Sequence, residues 1–168
     1  MGARQRAQRG ATAVEFLLVG MTVALPLCLS IFYIAQILWV WHSAVEMTRE
    51  GARYAATHCY QNGANVQTYM QQNVPVMPDR DKFQQGGVQI QVTYFGRAQD
   101  SIDLNEFTCE SECSLGCVPD VVKVQISGYE YRTFLTYFGI PPAVLPDFQT
   151  TIPMEGAGCD PDTGVCIP

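Results

Sequence analysis

The chain has 168 residues; 48 % are apolar, only 15 % are charged, and the net charge is −6. An acidic balance offers little to neutralise phosphates, which excludes nucleic-acid binding as the main role. The apolar fraction excludes disorder throughout, and a single segment long enough to span a bilayer excludes a polytopic membrane protein.

The charges sort by position. Residues 1–10 carry Arg4, Arg6 and Arg9 and no acid, whereas Phe16 to Trp41 is a run of 26 residues without a formal charge. From His42 to Pro168 there are 7 basic and 15 acidic residues. This is the layout of a single-pass anchor, with a basic cytoplasmic end and an acidic exported part. The run makes about 39 Å of helix, enough to cross a roughly 30 Å hydrocarbon core with tilt. An ordinary secretory signal has a shorter apolar run followed by a small-residue cleavage site. Here Trp39-Val-Trp-His-Ser-Ala-Val-Glu follows instead, and Trp39 and Trp41 read as an interfacial aromatic belt.

Glu15 stands at the start of that run, in Arg9-Gly10-Ala11-Thr12-Ala13-Val14-Glu15-Phe16. A carboxylate at the centre of a membrane helix costs roughly 2.5–3.5 kcal/mol, and less near the interface. Either Glu15 is solvated by headgroups or it takes a cationic partner. A cut after Gly10 would create one, the new amine of Ala11 on a neighbouring subunit. Inside the run, Pro26 lacks the amide that would bond the Thr22 carbonyl and crowds that carbonyl, so a kink or loosened turn is expected there, with Gly20 adding freedom. Cys28 reads as a small buried apolar residue.

Basic residues, Gly10, four residues, Glu15 and a retained apolar helix resemble the class III signal of type IV pilins and pseudopilins. The string Arg-Gly-Ala-Thr-Ala-Val-Glu-Phe-Leu-Leu is similar to the TadE/TadF-like minor pilins of the Flp, or tight-adherence, pilus system, as is Arg49-Glu50-Gly51-Ala52-Arg53-Tyr54-Ala55-Ala56. The resemblance covers residues 4–56. It implies cleavage by a prepilin peptidase between Gly10 and Ala11, and a charge pair between Glu15 and the Ala11 amine of an adjacent subunit. It also implies partners among other pilin or pseudopilin subunits and Tad assembly proteins, and a place in the cytoplasmic membrane or the pilus filament. A long, cysteine-rich C-terminal region departs from the pattern.

The helix is expected to continue from Ser43 to about Tyr60 and to end at Asn62-Gly63. Glu46–Arg49 and Glu50–Arg53 are spaced to pair on its solvated side. Val45, Thr48, Ala52, Ala55 and Cys59 lie on the other face. The small residues Gly51, Ala52, Ala55 and Ala56 admit a close backbone, either of this chain's own sheet or of a neighbouring subunit. A second short helix is expected over Asn65–Asn73, before Pro75.

Val88, Ile90, Val92 and Tyr94 alternate with polar residues and predict a half-buried strand, as do Val122, Val124 and Ile126. After Gly128 the apolar parity slips to Tyr129 and Tyr131, which predicts a β-bulge near Ser127-Gly128. Phe148, Thr150 and Ile152 predict a third strand, interrupted by Pro153. Asp100 to Asp120 reads as an excursion pinned by Cys109, Cys113 and Cys117. The Phe134–Pro146 connection is too broken by prolines to span a membrane and is expected to pack on the helix or sheet.

Six cysteines follow the apolar run: Cys59, Cys109, Cys113, Cys117, Cys159 and Cys166. In an exported domain they predict a disulfide framework. The spacing leaves the connectivity open, with Cys159–Cys166 the best single pair because it brackets the turn Asp160-Pro161-Asp162-Thr163-Gly164. No C-x-x-C motif, P-loop or dinucleotide-binding glycine pattern occurs. His42 sits at the membrane boundary, and His58 and Cys59, adjacent on a helix, point apart. No catalytic group, metal or other cofactor is expected.

The sequence therefore predicts an α+β protein. A leader (1–10) is followed by a membrane and assembly helix (11–42) and an exported pilin-like domain (43–168) with a roughly three-stranded antiparallel sheet. The function it points to is a structural component of a Tad-type pilus that supports assembly and adhesion, not an enzyme. The alternative is an uncleaved, signal-anchored, disulfide-rich binding module.

Overall fold

The computed structural model describes residues 13–61, 64–97, 103–110, 113–132, 136, 139, 141–154, 156–160, 162–163 and 165–166. The leader, the Gly10–Ala11 junction, Asn62-Gly63 and part of the Phe134–Pro146 connection lie outside them. The chain divides into two units that meet between Trp39 and Val40.

Helix α1 runs from Ala13 to Thr57. In the first unit its apolar side chains are largely exposed: Phe16 is 80 % exposed, and most of the large apolar residues from Val14 to Trp39 stand out in the same way, with Tyr33 and Ile37 half-buried. Cys28 is likewise exposed. This corrects the expectation of a buried thiol, because a lone helix buries no side chain on another element. The expected loosened turn is π-helical. It spans Gly20–Ala24, and the Leu25 N–H bonds the Gly20 carbonyl five residues back. Pro26 offers no N–H to the next turn, and widening the preceding turn makes room for its ring. The Thr22 hydroxyl donates to the Leu18 carbonyl at 2.6 Å, a back-bond that itself favours helix bending.

In the second unit the rest of α1 lies on a sheet. Its buried side chains are Val40, Ser43, Ala44, Met47, Thr48, Gly51, Ala52 and Ala55. Val45, expected on this face, is only half-buried, and Met47 takes the core position. The strands are β1 (Gln89–Arg97), β2 (Leu104–Glu106), β3 (Val121–Ser127) and β6 (Phe148–Pro153), in the antiparallel order β2-β1-β3-β6. The sheet thus has four strands where three were expected. The added strand, β2, has only exposed residues, so alternation could not mark it; the edge of β1 holds it through Phe95↔Glu106 to Arg97↔Leu104.

The buried faces of β1 and β3 follow the alternation. Ile90 and Tyr94 stand opposite Ile126 and Val122 in register, and all four are buried. Two contacts fasten α1 to β6: Trp41 meets Phe148 edge-on at 5.1 Å, and the Thr48 and Thr150 hydroxyls lie 2.8 Å apart. Thr48 also donates to the Val45 carbonyl at 2.8 Å, so Thr150 supplies the proton of the pair.

The parity slip has a different cause from the bulge expected. Gly128 has φ of +73°, and this left-handed residue turns the chain out of the main sheet. Glu130–Tyr131 then form β4, paired with β5 (Ala143–Val144) in a separate two-stranded sheet. There Tyr129 packs against Phe83 of the short helix α3 (Arg80–Gln84), with ring centroids 5.0 Å apart. Leu145, from the proline-rich connection, is buried, and its N–H reaches the Tyr129 carbonyl.

Helix α2 (Ala64–Gln72) is laid on α1 and β1. The Gln67 amide donates to the Ile90 carbonyl at 2.9 Å. A Cβ placed on Gly51 would collide with the Met70 sulfur. The close approach allowed by the small residues of α1 is thus made at Gly51 by α2 rather than by the sheet. Among the described residues Glu46–Arg49 closes at 3.6 Å, whereas no ion pair joins Glu50 to Arg53.

Candidate functional site: the N-terminal helix and its disulfide-held domain

Of the residues the sequence assigns to processing and assembly, Glu15 and Pro26 lie in described structure. Glu15 is exposed in the first turns of α1. Between it and Trp39 the helix presents a largely apolar surface, with no part of an 18-residue apolar window buried. Such a surface is unstable in water and demands lipid or other apolar helices. Polar side chains within the run turn their hydroxyls back to the helix: Ser30 donates to the Leu27 carbonyl at 2.8 Å, as Thr22 does to Leu18. That removes most of the cost of placing them in hydrocarbon.

The six outer cysteines form three pairs: Cys59–Cys113, Cys109–Cys117 and Cys159–Cys166. The first ties the end of α1 to the Asp100–Asp120 excursion, and the Cys113 N–H donates to the Tyr60 carbonyl at 3.2 Å. Tyr60 in turn packs edge-on against Tyr94 of β1 and against Phe107. The third pair closes a hairpin-like turn in which the Thr163 hydroxyl and the Asp162 N–H bond the Asp160 carboxylate. Those bonds hold the Asp160 carboxyl below the usual carboxylate range.

Helix α1 ends at Thr57, earlier than expected, where a distant part of the chain lies against its last turn. Gly158, at φ of +67°, brings its backbone so close that a Cβ there would sit 2.6 Å from the Thr57 carbonyl oxygen. The last turn closes on itself. The Thr57 hydroxyl donates toward the Arg53 and Tyr54 carbonyls, and His58 Nδ1 lies 2.8 Å from the Tyr54 carbonyl. His58 also stacks on Tyr54, which stacks on Tyr69 of α2. His58 therefore serves as a helix terminator rather than as a partner of Cys59.

Two tyrosines carry shifted acidities. Burial, with Tyr60 and Tyr54 nearby, pushes the Tyr94 phenol up to about 12. Burial and the neighbouring Asp79 carboxylate, 3.3 Å from its hydroxyl, raise Tyr129 as well. Asp79 also holds Lys82 at 2.9 Å. Asp79, Lys82 and Tyr129 fasten α3 to the start of β4, and Lys82 and Tyr129 also line a cleft of about 290 Å³ with Gly87, Gly128, Glu130 and Arg132.

One feature escaped sequence reasoning. A cleft of about 400 Å³ opens where α1 and β6 part, lined by Arg53, Ala56, Thr57, Ile152, Pro153 and Gly158. Its residues are too far apart in the chain for any motif to join them.

Comparison with known families places the N-terminal part. Residues 10–53 match the family described as TadE, TadE-like protein. The segment runs from Gly10 through the apolar helix to Arg53, so the N-terminal region of this chain is TadE-like. That match is consistent with a component of the Tad pilus system. No curated protein and no solved structure matches the chain.

Proposed function

We propose that this protein is a minor pilin or pseudopilin of a Tad-type pilus, processed after Gly10 and held in the cytoplasmic membrane with residues 43–168 outside it. The observation that carries the reading is a coincidence of position. The TadE-like segment begins at Gly10, and the helix that follows it carries an 18-residue apolar window with no buried part. Arg4, Arg6 and Arg9 hold the leader on the cytoplasmic side, where a prepilin peptidase cuts. The cut frees the Ala11 amine, which pairs with Glu15 of a neighbouring subunit. In a water-poor helix bundle such a pair is stronger than at a surface and sets the axial register. The π-helical turn before Pro26 supplies the place where the helix bends as it leaves lipid for a filament. The disulfide-held domain then survives outside the cell without an oxidation-sensitive surface thiol.

The test is the N-terminus of the protein made in its own host, with Glu15 variants alongside. Intact mass should lack residues 1–10, and Gly10→Leu should leave the precursor uncut. Glu15→Ala should still be cleaved and oxidised but should fail to co-purify with pilus components or to support adhesion. Full-length protein in cells with a working peptidase would refute processing and leave an anchored module. Normal assembly by Glu15→Ala would refute the charge pair.

A further inference from the structure

The cleft between α1 and β6 has one wall of each kind. Ala56, Ile152 and Pro153 make it apolar, the Thr57 and Gly158 backbone closes one end, and Arg53 is the one charged residue among the described residues that line it. Arg53 is exposed and has no ion pair among the described residues. A solitary cation on an apolar cleft, in a domain with an acidic excess, is matched by an anionic group carried on an apolar one.

The geometry of β6 says how such a group would arrive. The Met154 N–H bonds the Asp120 carbonyl, and Val121 stands opposite Pro153. This fixes the hydrogen-bond parity of the strand. Phe148, Thr150 and Ile152 turn their backbone groups to β3, while Gln149, Thr151 and Pro153 turn theirs outward. β6 is an edge strand whose outer side no described strand covers, and Pro153 puts its missing N–H on that outer side, where the ladder to β3 loses nothing. A strand added there would bond Gln149 and Thr151. Its residue opposite Ile152 would project on the α1 side of the sheet, into the cleft.

We infer that β6 and the cleft form a strand-addition site for an extended segment of another protein that carries an aliphatic residue and, two positions along the same face, a carboxylate. The main chain of the segment pairs with the β6 edge, the aliphatic side chain fills the cleft against Ile152 and Ala56, and the carboxylate meets Arg53. Main-chain bonds give affinity and the cleft gives sequence preference. The site does not depend on cleavage at Gly10 or on pairing by Glu15.

The probe is a fluorescent, acetylated and amidated peptide, Thr-Val-Thr-Glu-Thr-Val-Thr, titrated against the full chain in detergent micelles and read by polarisation. A twin with Lys in place of Glu is the control. Saturable binding of the Glu peptide is expected, with the twin weaker by about tenfold or more, the worth of one charge-assisted contact. Arg53→Glu should reverse the preference. Thr151→Pro, which removes an outward N–H without touching the ladder to β3, should weaken both peptides, and an unchanged disulfide map would show that each variant folds. The inference is overturned if the parent protein binds neither peptide, or if Arg53→Glu leaves the preference unchanged. It is overturned also if the parent fails to bind and instead self-associates in a way that Arg53→Glu disperses, since the occupant would then be a second copy.

Discussion

The three disulfides should differ in worth, and the difference follows from where they sit in the chain. Cys59–Cys113 closes a separation of 54 residues, against 8 for Cys109–Cys117 and 7 for Cys159–Cys166. On the chain-entropy model the long link removes about 4 kcal/mol of denatured-state freedom and each short one about 2.5. The long link also fastens the end of α1 to the loop that carries β2, so its loss frees elements that no main-chain ladder joins directly. Replacing each pair by alanines, in the full chain in detergent with Trp39→Phe, leaves Trp41 to report on its contact with Phe148. With a urea dependence of about 2 kcal/mol/M, the midpoint should fall by about 2 M for the Cys59/Cys113 variant and by about 1 M for each of the others. Equal losses for the three pairs, or a larger loss for either short loop, would refute the reasoning.

Alkaline pH should destabilise the outer domain. Tyr94 holds its proton to about 12, whereas an unfolded tyrosine ionises near about 10, so the stability from the neutral phenol is complete below that lower value and is lost as pH rises between the two. Urea midpoints between pH 9 and 11.5, with Cys28 blocked, should decline, and Tyr94→Phe should flatten the decline. Gly51→Leu should cost about 1–3 kcal/mol by overpacking against Met70, and a Gly51→Leu/Met70→Ala double variant should recover part of it in a thermodynamic cycle. Gly158→Ala should cost more than Gly128→Ala. Both glycines have positive φ, a strain of about 1–2 kcal/mol for alanine, but only Gly158 would also drive its Cβ into backbone, at Thr57. Thermal midpoints of the two variants compare them directly.

Much of this protein is written locally. The long uncharged run, the basic end before it and Gly10 with Glu15 carry the TadE-like pattern that residues 10–53 match. Period-two alternation placed β1, β3 and β6, because each has one face in the core and one in water. The count of cysteines beyond the membrane segment foretold disulfides. Long-range contact decided the rest. No spacing rule selects Cys59–Cys113, because the two lie 54 residues apart and only the tertiary fold brings them together. β2 buries nothing, so its sequence carries no strand signal, and the edge of β1 alone makes it one. Gly128 reads equally as a bulge or as an exit from the sheet, and the packing of Tyr129 on Phe83 settles it. At the end of α1 the Thr57 carbonyl meets Gly158, about a hundred residues away in the chain, and the two line the cleft beside Arg53. Local chemistry determines which segments can be helix, strand or anchor; which of them meet is decided by how their faces fill one shared core.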